Sequence, residues 1–231
     1  MTFFYQMGLF QVRQIPIEFV GSRDLPQVVG TPGAADELER RLQKLVQPFV
    51  DKKVWEVNLN NLRASIIKDE WVKDVYISRM LPSRIKVLVE PQKPVLVLVS
   101  PKKEFLPISE DGSLMSALPA GRAPDVPILR GKQYLLNKEM RLSAVQFVSR
   151  LPQEGALKSS NVSEMAWVKD RGFQLFLIHP RVEVLLGGDD LELKTSRVNQ
   201  VLKYLELHRL KGYEVDASFS KKVLVRLRSA P

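Results

Sequence analysis

Apolar and polar positions in the first 90 residues predict one small module of helices and strands. A strand-like run of apolar residues ends at Gly21, and two later segments place apolar residues at the spacing of a helix face. Those helical positions are Leu38, Leu42, Leu45, Val46 and Phe49, and then Leu59, Leu62 and Ile66. Alternation predicts strands at residues 72–79 and 85–90, with a turn at 81–83. The predicted order is strand, helix, helix, strand, strand.

The rest of the chain predicts a second module that is richer in strands. Two helices fit residues 137–151 and 190–209, whereas residues 116–131 hold three prolines and are predicted to be extended or looped. Strands are predicted at residues 95–99, 166–169, 173–178, 181–186, 214–219 and 223–228. Pro91 and Pro94 interrupt the strand register, which places a domain boundary near residues 90–94.

The composition is that of a globular protein with a basic surface. Hydrophobic residues make up 45% of the 231, which excludes a mostly disordered or fibrous chain. The formal net charge of +9 favours an anionic partner, which is nucleic acid, an anionic lipid surface or an acidic protein face. The absence of cysteine excludes disulfides, cysteine zinc sites and thiol catalysis.

The first 11 residues are apolar but too short to cross a bilayer, which takes about 20 apolar residues. They lack the basic leader and the small-residue cleavage site of a signal peptide. Two interpretations stay open at this point. The segment is a first strand that packs on the core, or it is the remnant of a membrane-anchor region.

Motifs for catalysis and phosphate binding are missing from the sequence. It holds no Gly-x-Ser-x-Gly elbow and neither of the glycine-rich phosphate loops. The acidic run Gly187-Gly188-Asp189-Asp190, with Glu192, lacks calcium-loop spacing, and we interpret it as a turn with an aspartate capping the next helix. We therefore expect no catalytic, cofactor-binding or metal-binding residues. Because the basic residues are dispersed and not interleaved with aromatics, we also expect no nucleic acid as partner.

One stretch, residues 71–94, resembles the segment in which the POTRA domain of the FtsQ/DivIB bacterial cell-division proteins ends. The matching residues are Trp71, Val72, Val75, Arg79, Pro82, Ile85, Val87, Glu90 and Pro94. Met80-Leu81 stands where the family usually has an aromatic residue before the proline. Residues 9–21 are similar to the beginning of that domain.

The second half resembles the same family in the same order. Trp167 with residues 173–177, and then residues 182–187, are similar to a pair of strands in these proteins. A helix with Leu191, Arg197 and Leu202 and a strand ending at Phe219 follow, as in the family. One departure is that Ala217-Ser218-Phe219 replaces the family's Leu-Arg-Tyr.

The resemblance implies an α+β fold with two domains. Residues 12–91 would form a POTRA-like domain (β-α-α-β-β). Residues 92–231 would form an FtsQ-type β domain with two helices and a C-terminal edge strand, and residues 1–11 would be the remnant of the anchor region. It implies a non-enzymatic, single-pass protein of the bacterial inner membrane, with its bulk in the periplasm, that recruits or regulates septal components of the divisome by protein–protein binding. The implied partners are proteins of the FtsB/FtsL type, with FtsK and the septal peptidoglycan synthase.

The outer edge of the last strand is predicted to be open, and the resemblance places partner contact there. The candidate binding residues are Phe219, Ser220, Val223, Leu224, Val225 and Arg226. The residues of the POTRA motif form a second candidate set, which consists of Trp71, Val72, Arg79, Pro82 and Glu90. Three alternatives remain: another POTRA-containing assembly or secretion component, a basic soluble nucleic-acid-binding protein, and an enzyme of unknown class.

Overall fold

The computed structural model describes residues 10–20 and 34–227. The chain divides into two compact units, Met1–Pro94 with Gly121–Pro124, and Val95–Ala120 with Asp125–Pro231. The predicted α+β class is confirmed. The domain boundaries predicted from the sequence, residues 12–91 and 92–231, stay predictions. Both interpretations of the apolar start concern residues that lie almost wholly outside the described ranges.

The first unit has the predicted order of elements. They are β1 (Ile17–Phe19), α1 (Ala34–Val46), α2 (Leu59–Ile66), β2 (Val72–Met80) and β3 (Arg84–Pro91). The sheet order is β1-β3-β2, with β1 parallel and β2 antiparallel to β3. Asn58 begins α2, because its side-chain oxygen accepts hydrogen bonds from the backbone N–H groups of Asn60 and Asn61.

The core of the first unit lies between the two helices and one face of its sheet. Apolar residues four apart on each helix face the alternate residues of β2 and β3, as amphipathic elements require. These buried residues are Leu38, Leu42, Val46, Leu62, Ile66, Val75, Ile85, Val87 and Val89. Each such side chain, when fully buried, contributes about 1.5–3 kcal/mol relative to an exposed one.

The second unit is built on one large sheet. Its strands are β4 (Pro94–Val99), β5 (Phe105–Ser109), β6 (Ile128–Arg130), β7 (Val162–Val168), β8 (Gly172–Leu177), β9 (Glu183–Gly187), β10 (Gly212–Asp216) and β11 (Leu224–Leu227). Its helices are α3 (Gln133–Leu136), α4 (Lys138–Ser149) and α5 (Leu191–Leu207). The strand order is β11-β10-β9-β8-β7-β6-β4-β5, so β11 and β5 are the two ends of the sheet.

Helices α4 and α5 bury one face of this sheet in a single core. Phe147 of α4 packs on Phe173 of β8 with the two rings tilted and their centroids 3.9 Å apart, and Leu202 of α5 joins the same cluster. The opposite face carries polar side chains, such as Gln174 of β8, which is hydrogen-bonded to Glu183 of β9. These two strands are antiparallel, and antiparallel strands with one covered face have this pattern.

Several features of the second unit differ from the prediction. Strand β5 was not predicted, and β7 begins at Val162 and not at residue 166. The strand β6 lies inside the proline-rich segment that was predicted to be extended or looped, and a one-turn helix, α3, precedes α4. The strand predicted at residues 214–219 spans Gly212–Asp216 instead. Asp216 ends it because its carboxylate accepts bonds from the N–H and the hydroxyl of Ser218, which turns the chain.

The described helices are all too short or too polar to cross a membrane.

Candidate partner-binding edge

Strand β11 ends the large sheet and is hydrogen-bonded to β10 alone among the described strands. The antiparallel register pairs Val215 with Val225, and both of these side chains face the core. Leu224 and Arg226 alternate with Val225 and are exposed. Arg226 Nη1 donates to Glu214 Oε2 on β10 at 2.8 Å. The open edge of β11 therefore combines unpaired main-chain groups with one apolar and one basic side chain.

The turn before β11 presents an aromatic side chain. Phe219 is 42% exposed, and Lys222 Nζ lies 5.1 Å from the centroid of its ring. Asp216 fixes the start of the turn through Ser218, and Arg171 Nη2 lies 2.7 Å from Asp216 Oδ2. Phe219 and Val223 were predicted to belong to strands, but they lie in this connection, together with Ser220, which was predicted there. The structure brings all six candidate binding residues to one corner of the sheet.

Two cations of α5 hold the backbone on either side of Phe219. Lys194 Nζ donates to the Ser218 carbonyl oxygen at 3.2 Å, and Arg197 Nη1 donates to the Ser220 carbonyl oxygen at 2.6 Å. Residues three apart share a helix face, so both side chains reach the turn together. We call this pair, Lys194 and Arg197, the carbonyl clamp. It fixes the backbone from which Phe219 projects.

Lys194 is almost fully buried, at 1% exposure, although lysine is rarely found inside proteins. Its second partner is Asp189, whose Oδ1 lies 2.6 Å from Lys194 Nζ. This hydrogen bond from Lys194 lowers the pKa of Asp189 from its ordinary value. Lys194 was not among the predicted site residues, although its position in the sequence is unusual for a lysine. The lysine occupies the apolar stripe of α5 between Leu191 and Val198.

The predicted aspartate cap of α5 is wrong. Asp190 stands at the N-cap position with φ +46°, in the left-handed region, and its side chain makes no capping bond. The neighbouring Asp189 binds Lys194 instead. The acidic run thus supports the carbonyl clamp. In residues 10–20 and 34–227, no three His, Asp or Glu side chains converge as a metal site would need.

The residues of the POTRA motif serve the folding of the first unit. Trp71 and Val72 are buried at the start of β2. Arg79 donates to the carbonyl oxygens of Val54 and Val57, at 3.0 Å and 2.7 Å, and so ties β2 to the loop before α2. Pro82 lies in the turn between β2 and β3, and Glu90 forms an exposed ion pair with Lys73 at 3.1 Å. A role for these five residues in partner binding stays a prediction.

Asp216 gives the turn a pH-dependent stability. Burial raises its pKa, but the bonds from Ser218 and Arg171 outweigh burial, and the pKa is lowered from its ordinary value. A carboxylate with a lowered pKa in the fold adds stability above its unfolded pKa of about 3.9, and this stability is lost as the pH falls through the folded pKa.

We expect Asp216→Asn to lower the free energy of unfolding by about 1–2 kcal/mol at pH 7, because charge-assisted bonds are lost. The difference from the unaltered chain should shrink below about pH 4. Urea unfolding at pH 7 and pH 3.5 measures it. Asp125→Asn is the matched control, since Asp125 is exposed and makes no side-chain bond in the described part of the chain. A difference that stays constant down to pH 3.5 would contradict this assignment.

Comparisons with known proteins agree with this architecture. The family model for the C-terminal part of the cell-division protein FtsQ/DivIB matches residues 97–218, and the model for the FtsQ-type POTRA domain matches residues 35–90. The chain is similar to proteins called cell division protein FtsQ. It is 24% identical to the one from Geotalea daltonii over 177 residues, which are 74% of this chain and 64% of that protein.

Two further proteins of the same name are similar to the same extent. The one from Geobacter sp. strain M21 is 24% identical over 178 residues, 74% of this chain and 64% of that protein. The one from Syntrophotalea carbinolica is 24% identical over 181 residues, 75% of this chain and 64% of that protein. The chain thus spans about 64% of the length of these relatives.

A POTRA unit followed by a β-rich unit with few helices defines a class of cell-division proteins. Within that class, the chain belongs to the FtsQ/DivIB family. The C-terminal family model ends at Ser218, so Phe219 and β11 lie just beyond the matched residues.

Proposed function

We propose that this protein is a non-enzymatic component of the divisome that recruits or regulates septal components, and that a partner segment binds by adding a strand to β11. The observation that carries this proposal is the open edge of β11, which has β10 as its one strand neighbour within the described residues. An extended peptide that pairs with such an edge gains affinity from main-chain hydrogen bonds. Family membership supports the role in cell division.

The side chains around the edge favour a partner segment that is acidic and carries an apolar residue. Lys221, Lys222 and Arg226 are exposed beside the edge and attract negative charge. Phe219 and Leu224 offer exposed apolar area next to them. Aromatic anchors of this kind often carry much of the binding energy of an interface.

The proposed partner of this edge is a protein pair of the FtsB/FtsL type. FtsK and the septal peptidoglycan synthase are further proposed divisome partners. The proposed location is the bacterial inner membrane, with a single-pass anchor on the N-terminal side and both units outside the cytoplasm. The resemblance to the FtsQ/DivIB family supports these partners and this location.

We expect Phe219→Ala to weaken binding of the FtsB-type partner about tenfold while the fold stays intact, because an exposed aromatic anchor is lost. Arg226→Glu should weaken it as well, since an acidic segment is then repelled. Leu224→Pro removes one main-chain donor from β11, and its effect is largest when that N–H faces the partner. Fluorescence anisotropy with the labelled partner measures binding, and circular dichroism on the same samples measures folding.

Leu136→Ala is the matched control. Leu136 is 95% exposed on α3. Arg141 links the backbone of this helix to Gly112 in the turn after β5, at the other end of the sheet. The control should bind the partner as the unaltered chain does. If all three edge variants are folded and keep full affinity, partner binding at β11 is ruled out.

A further inference from the structure

Large apolar side chains are exposed at one end of the first unit. Leu81 is 75% exposed, Trp55 54% and Met80 50%. The Phe10 ring packs on Trp55 with centroids 5.1 Å apart. We call these four residues the tip surface. Several large apolar side chains exposed at one end of a folded unit commonly mark a contact with another molecule.

Backbone pairing places the members of the tip surface at the same end of the unit. Residues 10–12 pair with 51–54, and the N–H of Val54 donates to the Phe10 carbonyl oxygen at 2.9 Å. Arg79, next to Met80, binds the carbonyl oxygen of the same Val54. β1 runs parallel to β3, so the chain enters the sheet at the end where the turn before β3 lies. That turn contains Leu81.

Basic residues lie next to the members of the tip surface, along the chain or in the paired segments 10–12 and 51–54. They are Arg13, Lys52, Lys53, Arg79 and Arg84, and the acidic residues among them are Asp51 and Glu56. Of these cations, Lys53 alone forms an ion pair in residues 10–20 and 34–227, with Glu56 at 3.4 Å. Lys52 Nζ lies 5.4 Å from the ring centroid of Phe49. The end of the unit thus carries net positive charge around an apolar centre.

We infer that the tip surface is a docking site for an anionic lipid bilayer. Surface binding to such membranes scales with the apolar area that is buried and with the attraction of Lys and Arg to anionic headgroups. Tryptophan is also enriched at the depth of lipid headgroups. The inference goes beyond the proposed strand addition at β11, which lies in the other unit.

The neighbouring sequence favours a lipid surface over a protein as the occupant. Residues 1–9, which lead directly into Phe10, include Phe3, Phe4, Tyr5 and Leu9 and no charged side chain. An uncharged aromatic segment that continues into a basic, aromatic tip suits the boundary between headgroups and acyl chains.

The test uses the full 231-residue chain and vesicles of POPC with one quarter POPG, compared with pure POPC. We expect co-sedimentation with the anionic vesicles that weakens at high salt, and about tenfold weaker partitioning for Leu81→Glu. Lys52→Glu should bind several-fold less and show a smaller salt dependence. Leu136→Glu, on the other unit, is the matched control and should bind like the unaltered chain.

Tryptophan fluorescence gives a second readout that does not depend on charged variants. In anionic vesicles with dibrominated acyl chains, the emission of the unaltered chain should be quenched. Trp55→Phe should lose most of the quenching, and Trp167→Phe, on the second unit, should keep it. The inference is overturned if the chain does not bind POPG vesicles. That is the result expected if the tip surface binds a protein and not a membrane. Unchanged binding of folded Leu81→Glu, or quenching that persists in Trp55→Phe, also overturns it.

Discussion

Gly172→Ala should lower the free energy of unfolding of the second unit by at least about 3 kcal/mol. Gly172 has φ +76°, where a side chain costs about 1–2 kcal/mol. A Cβ atom at this position would also overlap the backbone of Gly187 on β9, coming within 2.5 Å of its Cα atom. Backbone cannot rotate out of the way as a side chain can, so β8 and β9 must separate locally.

Urea unfolding followed by circular dichroism and by tryptophan emission measures this loss. Gly121→Ala is the matched control, because a Cβ atom there meets nothing within 4 Å and the backbone is not left-handed. We expect the control to lie within about 1 kcal/mol of the unaltered chain. Stability of Gly172→Ala within that same range would contradict the close approach of β8 and β9.

Periodicity predicted the elements well where the apolar pattern is long. α4 and α5 begin and end within two residues of their predicted limits, because their apolar stripes span three or more turns. The three-residue strand β6 was missed, since a short strand among prolines has no period to detect. The order of the eight strands was also beyond prediction, because parallel neighbours such as β4 and β6 are joined by long connections.

The sequence predicted the strand of the candidate edge but not the turn that precedes it. The last strand was predicted with its outer edge open, and β11 does lie at the end of the sheet. The turn around Phe219 depends on contacts between residues far apart in sequence. Lys194 and Ser218 are 24 residues apart, and Arg171 and Asp216 are 45 apart. Local patterns carry no information on such pairs.

These distant contacts link the close approach of Gly172 and Gly187 to the candidate partner-binding edge. The backbone of Gly187 lies close to Gly172, and a Cβ atom on Gly187 would lie 2.9 Å from Lys194 Nζ. The lysine therefore occupies a space that a side chain at position 187 would fill. Lys194 also binds the Ser218 carbonyl oxygen. A series of contacts therefore connects the close approach of β8 and β9 with the turn that presents Phe219.

Lys194→Ala should lower the free energy of unfolding by about 2–4 kcal/mol, because a buried stem and two hydrogen bonds are lost. Lys194→Met keeps most of the stem, so about 1–2 kcal/mol should be lost, mainly from the bond to the Ser218 carbonyl oxygen. Both variants should bind the proposed FtsB-type partner several-fold more weakly, since the backbone next to Phe219 is no longer held. Urea unfolding and fluorescence anisotropy measure the two effects separately.

Lys203→Met is the matched control on the same helix. Lys203 is exposed and forms no ion pair within the described residues, so its loss should change neither quantity. Arg197→Met removes the other half of the carbonyl clamp from a half-buried position, and it should weaken partner binding with little change in stability. If Lys194→Met and Arg197→Met both bind the partner with unchanged affinity, the clamp does not position Phe219 for binding. Lys194 would then stabilise the second unit alone.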